Sequence, residues 1–129
     1  TVLSRGLGDV YKRQTLMHTN SEYPSPEENL NLKCLTTLKE KFNLPVGYSG
    51  HEPSVSPSLI AACLGATAIE RHITQDRSSY GSDQAASLEE VGLKNLVDMV
   101  RKIPLVLGDG VKTITEQEKI IAKKLRYWL

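Results

Sequence analysis

Two short strand-like runs that flank one apolar helix constrain the fold of this chain more than any other feature. The runs cover residues 45–49 and 66–72, and the helical stretch between them begins near Ser56-Pro57 and stops at Gly65. A strand, a crossover helix and a second strand of this length are typical of a parallel βαβ unit. The carboxyl ends of both strands then lie at the same edge of the sheet.

A histidine lies at the carboxyl end of each of these two strands. His51 and His72 are 21 residues apart, and neighbouring parallel strands run about 4.8 Å apart. Two imidazoles at that edge can bind one metal ion. Imidazole pairs suit Mn, Fe, Co or Zn, whereas a pure Mg site prefers oxygen ligands. A structural role for each histidine is the alternative, but parallel sheets and barrels hold their active sites at this edge.

The same strand–helix alternation extends on both sides of this unit. Residues 15–19 predict a first strand and residues 32–42 the helix after it. An apolar stripe that starts at Leu93 predicts a third helix, which Pro104 ends or kinks, and a last helix follows Thr115. Three βα units plus an extra helix predict an α/β fold with parallel strands. Since three strands cannot close a barrel, we interpret the chain as the C-terminal fragment of a (β/α)₈ TIM barrel.

Capping boxes, in which a hydroxyl and a carboxylate satisfy the first backbone N–H groups of a helix, are predicted at three helix starts. The predicted pairs are Ser25 with Glu28, Ser87 with Glu90, and Thr115 with Glu118.

The first fourteen residues differ in character from the rest of the chain. They read TVLSRGLGDVYKRQ, begin without methionine and resemble translated adapter sequence. We therefore expect residues 1–14 to be a non-native or disordered leader. Residues 15–129 are then expected to form the domain.

The charge balance argues against two classes of partner. Sixteen Lys and Arg residues against fifteen Asp and Glu residues give a formal charge of +1, and no apolar run reaches the roughly 18 residues of a membrane span. We therefore expect no nucleic acid and no membrane partner. Cys34 and Cys63 lie in predicted helices and are expected to be reduced, as in a cytoplasmic protein.

Two polar residues share the sheet face of the histidines. Glu70 lies one pleat below His72, where it can orient the imidazole, contact a substrate or pair with a neighbouring cation. Ser49 has the same parity as His51, and hydroxyls at strand ends commonly hold phosphate oxygens in barrels. Ser49 and Glu70 are therefore candidate site residues.

Two loop residues could hold a polyhydroxylated substrate. Tyr23 follows the first strand and offers a phenol, and Asp83 follows the third strand and offers a carboxylate. Both can also be ordinary loop residues. The loop from His72 to Ser87 is long for a βα connection, which is typical of functional or disordered loops.

Five motifs in this chain resemble the N-acetylneuraminate (sialic acid) synthase family. They are SEYPSPEENLNL (residues 21–32), LPVGYSGHE (44–52), LGATAIERHIT (64–74), GSDQAASLE (81–89) and LGDGVK (107–112). Members of that family are (β/α)₈ barrels that condense phosphoenolpyruvate with N-acetylmannosamine or a related amino sugar. The products are a nonulosonic acid and phosphate.

The resemblance implies a role for each candidate residue. It assigns the metal, Mn²⁺ or Mg²⁺, to His51 and His72, phosphoenolpyruvate to Ser49 and Ser21, the sugar to Tyr23 and Asp83, and catalytic roles to Glu70 and Asp83. The chain differs from many members at Gly50, where Asp is frequent, and at Ser21, where Asn or Thr is frequent.

The resemblance also implies a truncated enzyme. The family's phosphate-binding lysine and a glutamate near the reacting carbons match no residue here, so we expect the fragment itself to be inactive. The full-length protein is expected to be a homodimer. The alternatives are a legionaminate or pseudaminate synthase fragment, a non-catalytic half-barrel that binds metal or sugar, and a remnant that does not fold.

Overall fold

The computed structural model describes residues 14–126, so all but Gln14 of the predicted leader lies outside the described residues. The elements are β1 (Leu16–Thr19), a 3₁₀ helix (Glu27–Asn29), α1 (Cys34–Phe42), β2 (Val46–Gly50), α2 (Ser56–Cys63), β3 (Ile69–Arg71), α3 (Glu90–Leu107) and α4 (Glu116–Leu125). None of the helices in this part of the chain is long and apolar enough to cross a membrane.

The three strands form one parallel sheet in the order β1-β2-β3. Thr19 lies opposite Ser49, and Ser49 lies opposite Glu70. A parallel bridge between Ile73 and Leu88 continues the pairing beyond β3. The predicted α/β class with parallel strands is therefore confirmed.

The hydrophobic core lies on one face of the sheet, beneath α1 and α2. Val46 and Tyr48 of β2 pack there against Leu35 of α1 and Ala61 of α2. Because side chains alternate along a strand, Glu70 projects from the opposite face, where it is exposed. The sheet thus has a helix-covered face and a second face that carries the candidate polar residues.

β3 is shorter than the strand predicted over residues 66–72. It begins at Ile69, and Ala66 instead donates its backbone N–H to the Ala61 carbonyl at 3.0 Å and packs against the core. The backbone then joins the sheet before β3 begins, because the Thr67 N–H donates to the Val46 carbonyl at 2.8 Å and the Tyr48 N–H donates to the Ala68 carbonyl at 2.9 Å.

The predicted capping box at the last helix is confirmed, whereas the one at Ser25 is wrong. The Thr115 hydroxyl accepts the Glu118 N–H at 3.2 Å, and the Glu118 carboxylate accepts the Thr115 N–H at 2.8 Å. Ser25 is buried and donates its hydroxyl to the Glu22 carbonyl at 2.8 Å. It therefore fastens the loop after β1 and does not cap a helix with Glu28.

The start of α3 also differs from the prediction, and Pro104 does not end the helix. The Ser87–Glu90 box is wrong, because the helix has Glu89 as its N-cap and the Ser87 hydroxyl donates to the Asp83 carbonyl at 2.7 Å. Pro104 lies inside the helix, which continues for three more residues to Leu107. A proline this close to the C-terminus leaves only the last turn beyond it.

Candidate functional site

The two histidines lie side by side at the carboxyl edge of the sheet. His51 directly follows β2, and His72 directly follows β3. Because Ser49 and Glu70 are register partners, the histidines two residues further on occupy matching positions. Their ring centroids are 5.1 Å apart at an interplanar angle of 73°. His51 is buried and His72 is partly buried.

The His51 ring is held as one tautomer by the loop after β1. Its Nδ1 lies 2.6 Å from the Asn20 carbonyl oxygen, and a carbonyl only accepts, so Nδ1 carries the proton. The Ser25 N–H in turn donates to the His51 carbonyl at 3.0 Å, which joins the loop to the end of β2. The Nε2 atom of His51 is therefore the acceptor, and it accepts the Tyr23 hydroxyl at 3.1 Å.

Tyr23 and Asp83 complete the polar group around the histidines. The Tyr23 ring centroid lies 4.1 Å from that of His51 and 5.5 Å from that of His72. The His72 Nδ1 is 3.5 Å from an Asp83 carboxylate oxygen. Two loops from different strands, one after β1 and one after β3, thus bring a phenol and a carboxylate to the same imidazole pair.

Ser49 and Glu70 form a second pair one pleat below the histidines. The buried Ser49 hydroxyl donates to Glu70 Oε1 at 2.7 Å. Glu70 thus has a hydroxyl partner here, where the sequence left open an imidazole, a substrate or a cation. Ser21 is exposed in the loop after β1.

The side chains around the histidine pair provide part of a binding site for a divalent transition metal. His51 donates Nδ1–H to a backbone carbonyl and leaves Nε2 unprotonated, which is the arrangement that histidine metal ligands commonly show. No group of three or more His, Cys, Asp and Glu side chains in residues 14–126 could hold a metal ion. The chain therefore offers two imidazoles, and the open positions of such a site suit water or substrate.

A buried ion pair lies behind the histidines, on the helix-facing side of the sheet, and the sequence did not indicate it. Glu52 Oε1 is 3.1 Å from Arg71 Nη1, and the Tyr48 hydroxyl donates to Glu52 Oε2 at 2.8 Å. Burial lowers the pKa of Arg71. Burial and then the hydrogen bond to Glu52 raise the pKa of Tyr48 well above its ordinary value.

Gly50 makes room for this ion pair and not for a ligand. A Cβ at Gly50 would lie 2.6 Å from Glu52 Oε2 and 2.8 Å from Glu52 Oε1 and the Tyr48 ring. The Glu52 carboxylate therefore occupies the space that a side chain at position 50 would need. The pairing of Glu52 with Arg71 has no local pattern in the sequence, because the two residues are 19 positions apart.

Comparisons with known proteins agree on one family. A model described as the NeuB family matches residues 7–112. The N,N'-diacetyllegionaminic acid synthase of Campylobacter jejuni is 44% identical over 110 residues, which are 84% of this chain and 33% of that protein. The human N-acetylneuraminate-9-phosphate synthase is 39% identical over 110 residues, 84% of this chain and 31% of that protein.

A solved structure shows the same fold. The N-acetylneuraminic acid (sialic acid) synthetase of Leptospira borgpetersenii, in complex with citrate, superposes with a TM-score of 0.72 at 35% identity. The likeness covers 95% of this chain and 46% of that one. The chain spans about a third of the length of the curated relatives it matches.

Proposed function

Because the chain belongs to the NeuB family, we propose that it supplies the metal- and sugar-facing edge of a synthase site. The reaction condenses phosphoenolpyruvate with an amino sugar of the N-acetylmannosamine type and gives a nonulosonic acid and phosphate. One observation carries the proposal for this chain. The ring centroids of His51 and His72 are 5.1 Å apart, the Tyr23 hydroxyl contacts His51 and the Asp83 carboxylate contacts His72.

Mn²⁺ or Mg²⁺ is the proposed cofactor, held by His51 through Nε2 and by His72. When bound, such an ion polarises a carbonyl oxygen as a Lewis acid, here that of the open-chain sugar. Tyr23 and Asp83 orient the sugar hydroxyls from the two loops that flank the imidazoles. The Tyr23 hydroxyl and the Asp83 carboxylate can each make hydrogen bonds to a sugar without leaving their loops.

Phosphoenolpyruvate is proposed to lie on the Ser49 side of the histidines. The Ser49 hydroxyl, and the Ser21 hydroxyl in the exposed loop, are the phosphate donors of this chain. Glu70 is placed by its bond to Ser49 at 2.7 Å. Its carboxylate can stabilise positive charge that develops at C2 of phosphoenolpyruvate when C3 attacks the aldehyde, before water adds there and the C–O bond to phosphate breaks.

The relatives differ in the sugar acid that they make. One relative makes a diacetylated legionaminic acid and another a 9-phosphorylated N-acetylneuraminate. The proposal for this chain is therefore an amino sugar of this class, with legionaminate or pseudaminate synthesis as the alternative to sialic acid synthesis.

A Mn²⁺ titration followed by electron paramagnetic resonance tests the metal site. We expect His51→Ala and His72→Ala each to weaken Mn²⁺ binding at least about tenfold, because even the loss of a residue that only orients a metal ligand typically costs about 10- to 100-fold in affinity. His18→Gln is the matched control, because His18 bonds the Leu30 carbonyl at 2.7 Å and lies outside the group. Unchanged binding in His51→Ala and His72→Ala would refute the metal site.

Phosphorus NMR separates a synthase site from a half-barrel that binds only metal or sugar. We expect the phosphoenolpyruvate signal to shift on addition of the Mg²⁺-loaded chain, with a weaker effect for Ser49→Ala. Thr37→Ala removes a hydroxyl from α1 and serves as the control, because Thr37 is exposed on the other side of the core. A signal that stays unshifted would favour the non-catalytic module.

A further inference from the structure

Glu52 and Arg71 each lie one residue from a histidine of the candidate site. Their side chains are 0% and 2% exposed, and the two ionic groups are 3.1 Å apart. The Glu52 carboxylate also accepts the Tyr48 hydroxyl at 2.8 Å and the Ser58 hydroxyl at 3.1 Å. A carboxylate with three donors, one of them charged, is fixed more firmly than a surface pair would be.

The guanidinium of Arg71 connects β3 with three other segments. Nη1 donates to the Ser54 carbonyl at 2.9 Å and to the Ser58 hydroxyl at 3.0 Å. Nη2 donates to the Glu52 carbonyl and to the Ala86 carbonyl, the latter at 3.4 Å. Arg71 therefore holds the turn after β2, the first turn of α2 and the loop before α3 at fixed positions relative to its own strand.

These connected segments carry residues of the candidate site. Glu52 follows His51 in the turn after β2, and His72 follows Arg71 at the end of β3. Asp83 lies in the loop that Arg71 contacts at Ala86. Arg71 itself projects to the helix-facing side, opposite Glu70, so it can influence a bound ligand only through the backbone of its neighbours.

Stability alone gives a weak reason for such a pair. A buried ion pair is often no more stabilising than an apolar replacement of the same shape, and Arg71 Nε has no hydrogen-bond partner within the described residues. We propose that Glu52 and Arg71 are positioning residues that hold the His51 and His72 imidazoles at the separation a shared metal requires. This inference deepens the proposed function and rests on its metal site.

The test replaces Arg71 by lysine, which keeps the positive charge and loses the planar guanidinium with its several N–H donors. In Arg71→Lys, one ammonium cannot span the carbonyls and the carboxylate that the guanidinium joins. The first measurement is the Mn²⁺ affinity, and the second is the ¹⁵N shift of both imidazoles in the metal-free chain. We expect Mn²⁺ binding to weaken about tenfold and the signals of both histidines to move.

Two further variants make the test decisive. Tyr48→Phe removes one hydrogen bond from Glu52 and keeps the ring, so it replaces Arg71→Lys if that variant does not fold, with the same two signals expected to move. Leu38→Ala removes packing from α1 without touching the ion pair. If Leu38→Ala weakens Mn²⁺ binding as much as Arg71→Lys does, general stability explains the effect and the inference is wrong.

The outcomes for the metal site and for the positioning pair can be told apart. Unchanged Mn²⁺ affinity and unchanged imidazole signals in Arg71→Lys would overturn the inference while leaving the metal site intact. If His51→Ala and His72→Ala do not affect Mn²⁺ binding, the metal site of the proposed function is refuted. The ¹⁵N shifts of both imidazoles in the metal-free chain then test the positioning role by themselves. Shifts that Arg71→Lys leaves unchanged would overturn that role.

Discussion

At the scale of single residues, the Tyr23 hydroxyl and a bound metal compete for one lone pair. The hydroxyl lies 3.1 Å from His51 Nε2, the nitrogen that would face the metal. A hydrogen bond of this kind contributes about 0.5–1.5 kcal/mol. We therefore expect Tyr23→Phe to bind Mn²⁺ about two- to tenfold more tightly in an equilibrium titration. Weaker binding in Tyr23→Phe would show that the hydroxyl supports the metal instead of competing with it.

Strand parity brings the two histidines together, and this could be predicted from the spacing of His51 and His72. Their role as metal ligands stays a prediction. The contact between the Asn20 carbonyl and His51 could not be predicted. It depends on the path of the loop after β1, and residues distant in sequence hold that loop in place. The same holds for Glu52 and Arg71, whose pairing has no local pattern.

At the scale of the strands and helices, two glycines are expected to respond in opposite ways to the same added methyl group. Gly50→Ala places a Cβ 2.6 Å from the Glu52 carboxylate and should lower the free energy of unfolding by about 1–3 kcal/mol. Gly92→Ala, in α3, has only ordinary contacts at 3.7 Å and should raise it by about 0.5–1 kcal/mol. Urea unfolding measures the free energy of unfolding of both variants. An unchanged value for Gly50→Ala would mean that the Glu52 carboxylate moves aside at little cost.

The last helix should respond to acid through its capping box. The Thr115 N–H and then Lys112 hold the pKa of Glu118 below its ordinary range. A carboxylate whose pKa is lowered on folding stabilises the helix above its unfolded pKa, and that contribution is lost as the pH falls through the folded one. We expect the ¹³Cα shifts of the first turn of α4 to lose helical character below about pH 4.3.

Glu118→Gln provides the matched control for this titration. A glutamine at this position still accepts the Thr115 N–H, so the helix should form without the acid dependence. Equal pH profiles in the two proteins would contradict the role of Glu118. This box was predictable because α4 is exposed and its cap is local, whereas the hydroxyls of Ser25 and Ser87 bond loop carbonyls.

At the scale of the whole chain, the two faces of the sheet differ in how well they are covered. One face packs against α1 and α2, while Ala68 and Glu70 on the other face are exposed. The sequence predicted the parallel order from local alternation. It could not show how exposed the second face is, because exposure depends on which elements pack against the sheet and no local pattern records that packing.

This exposed face leads to the expectation that the 129-residue chain binds metal without turnover. Electrostatic stabilisation of developing charge requires fixed dipoles in a site from which water is excluded. Glu70 is exposed to solvent in the part of the chain that the structure describes. With Mn²⁺, phosphoenolpyruvate and N-acetylmannosamine, phosphate release should equal that of His51→Ala. Release that exceeds this control would show that these residues form a complete catalytic site.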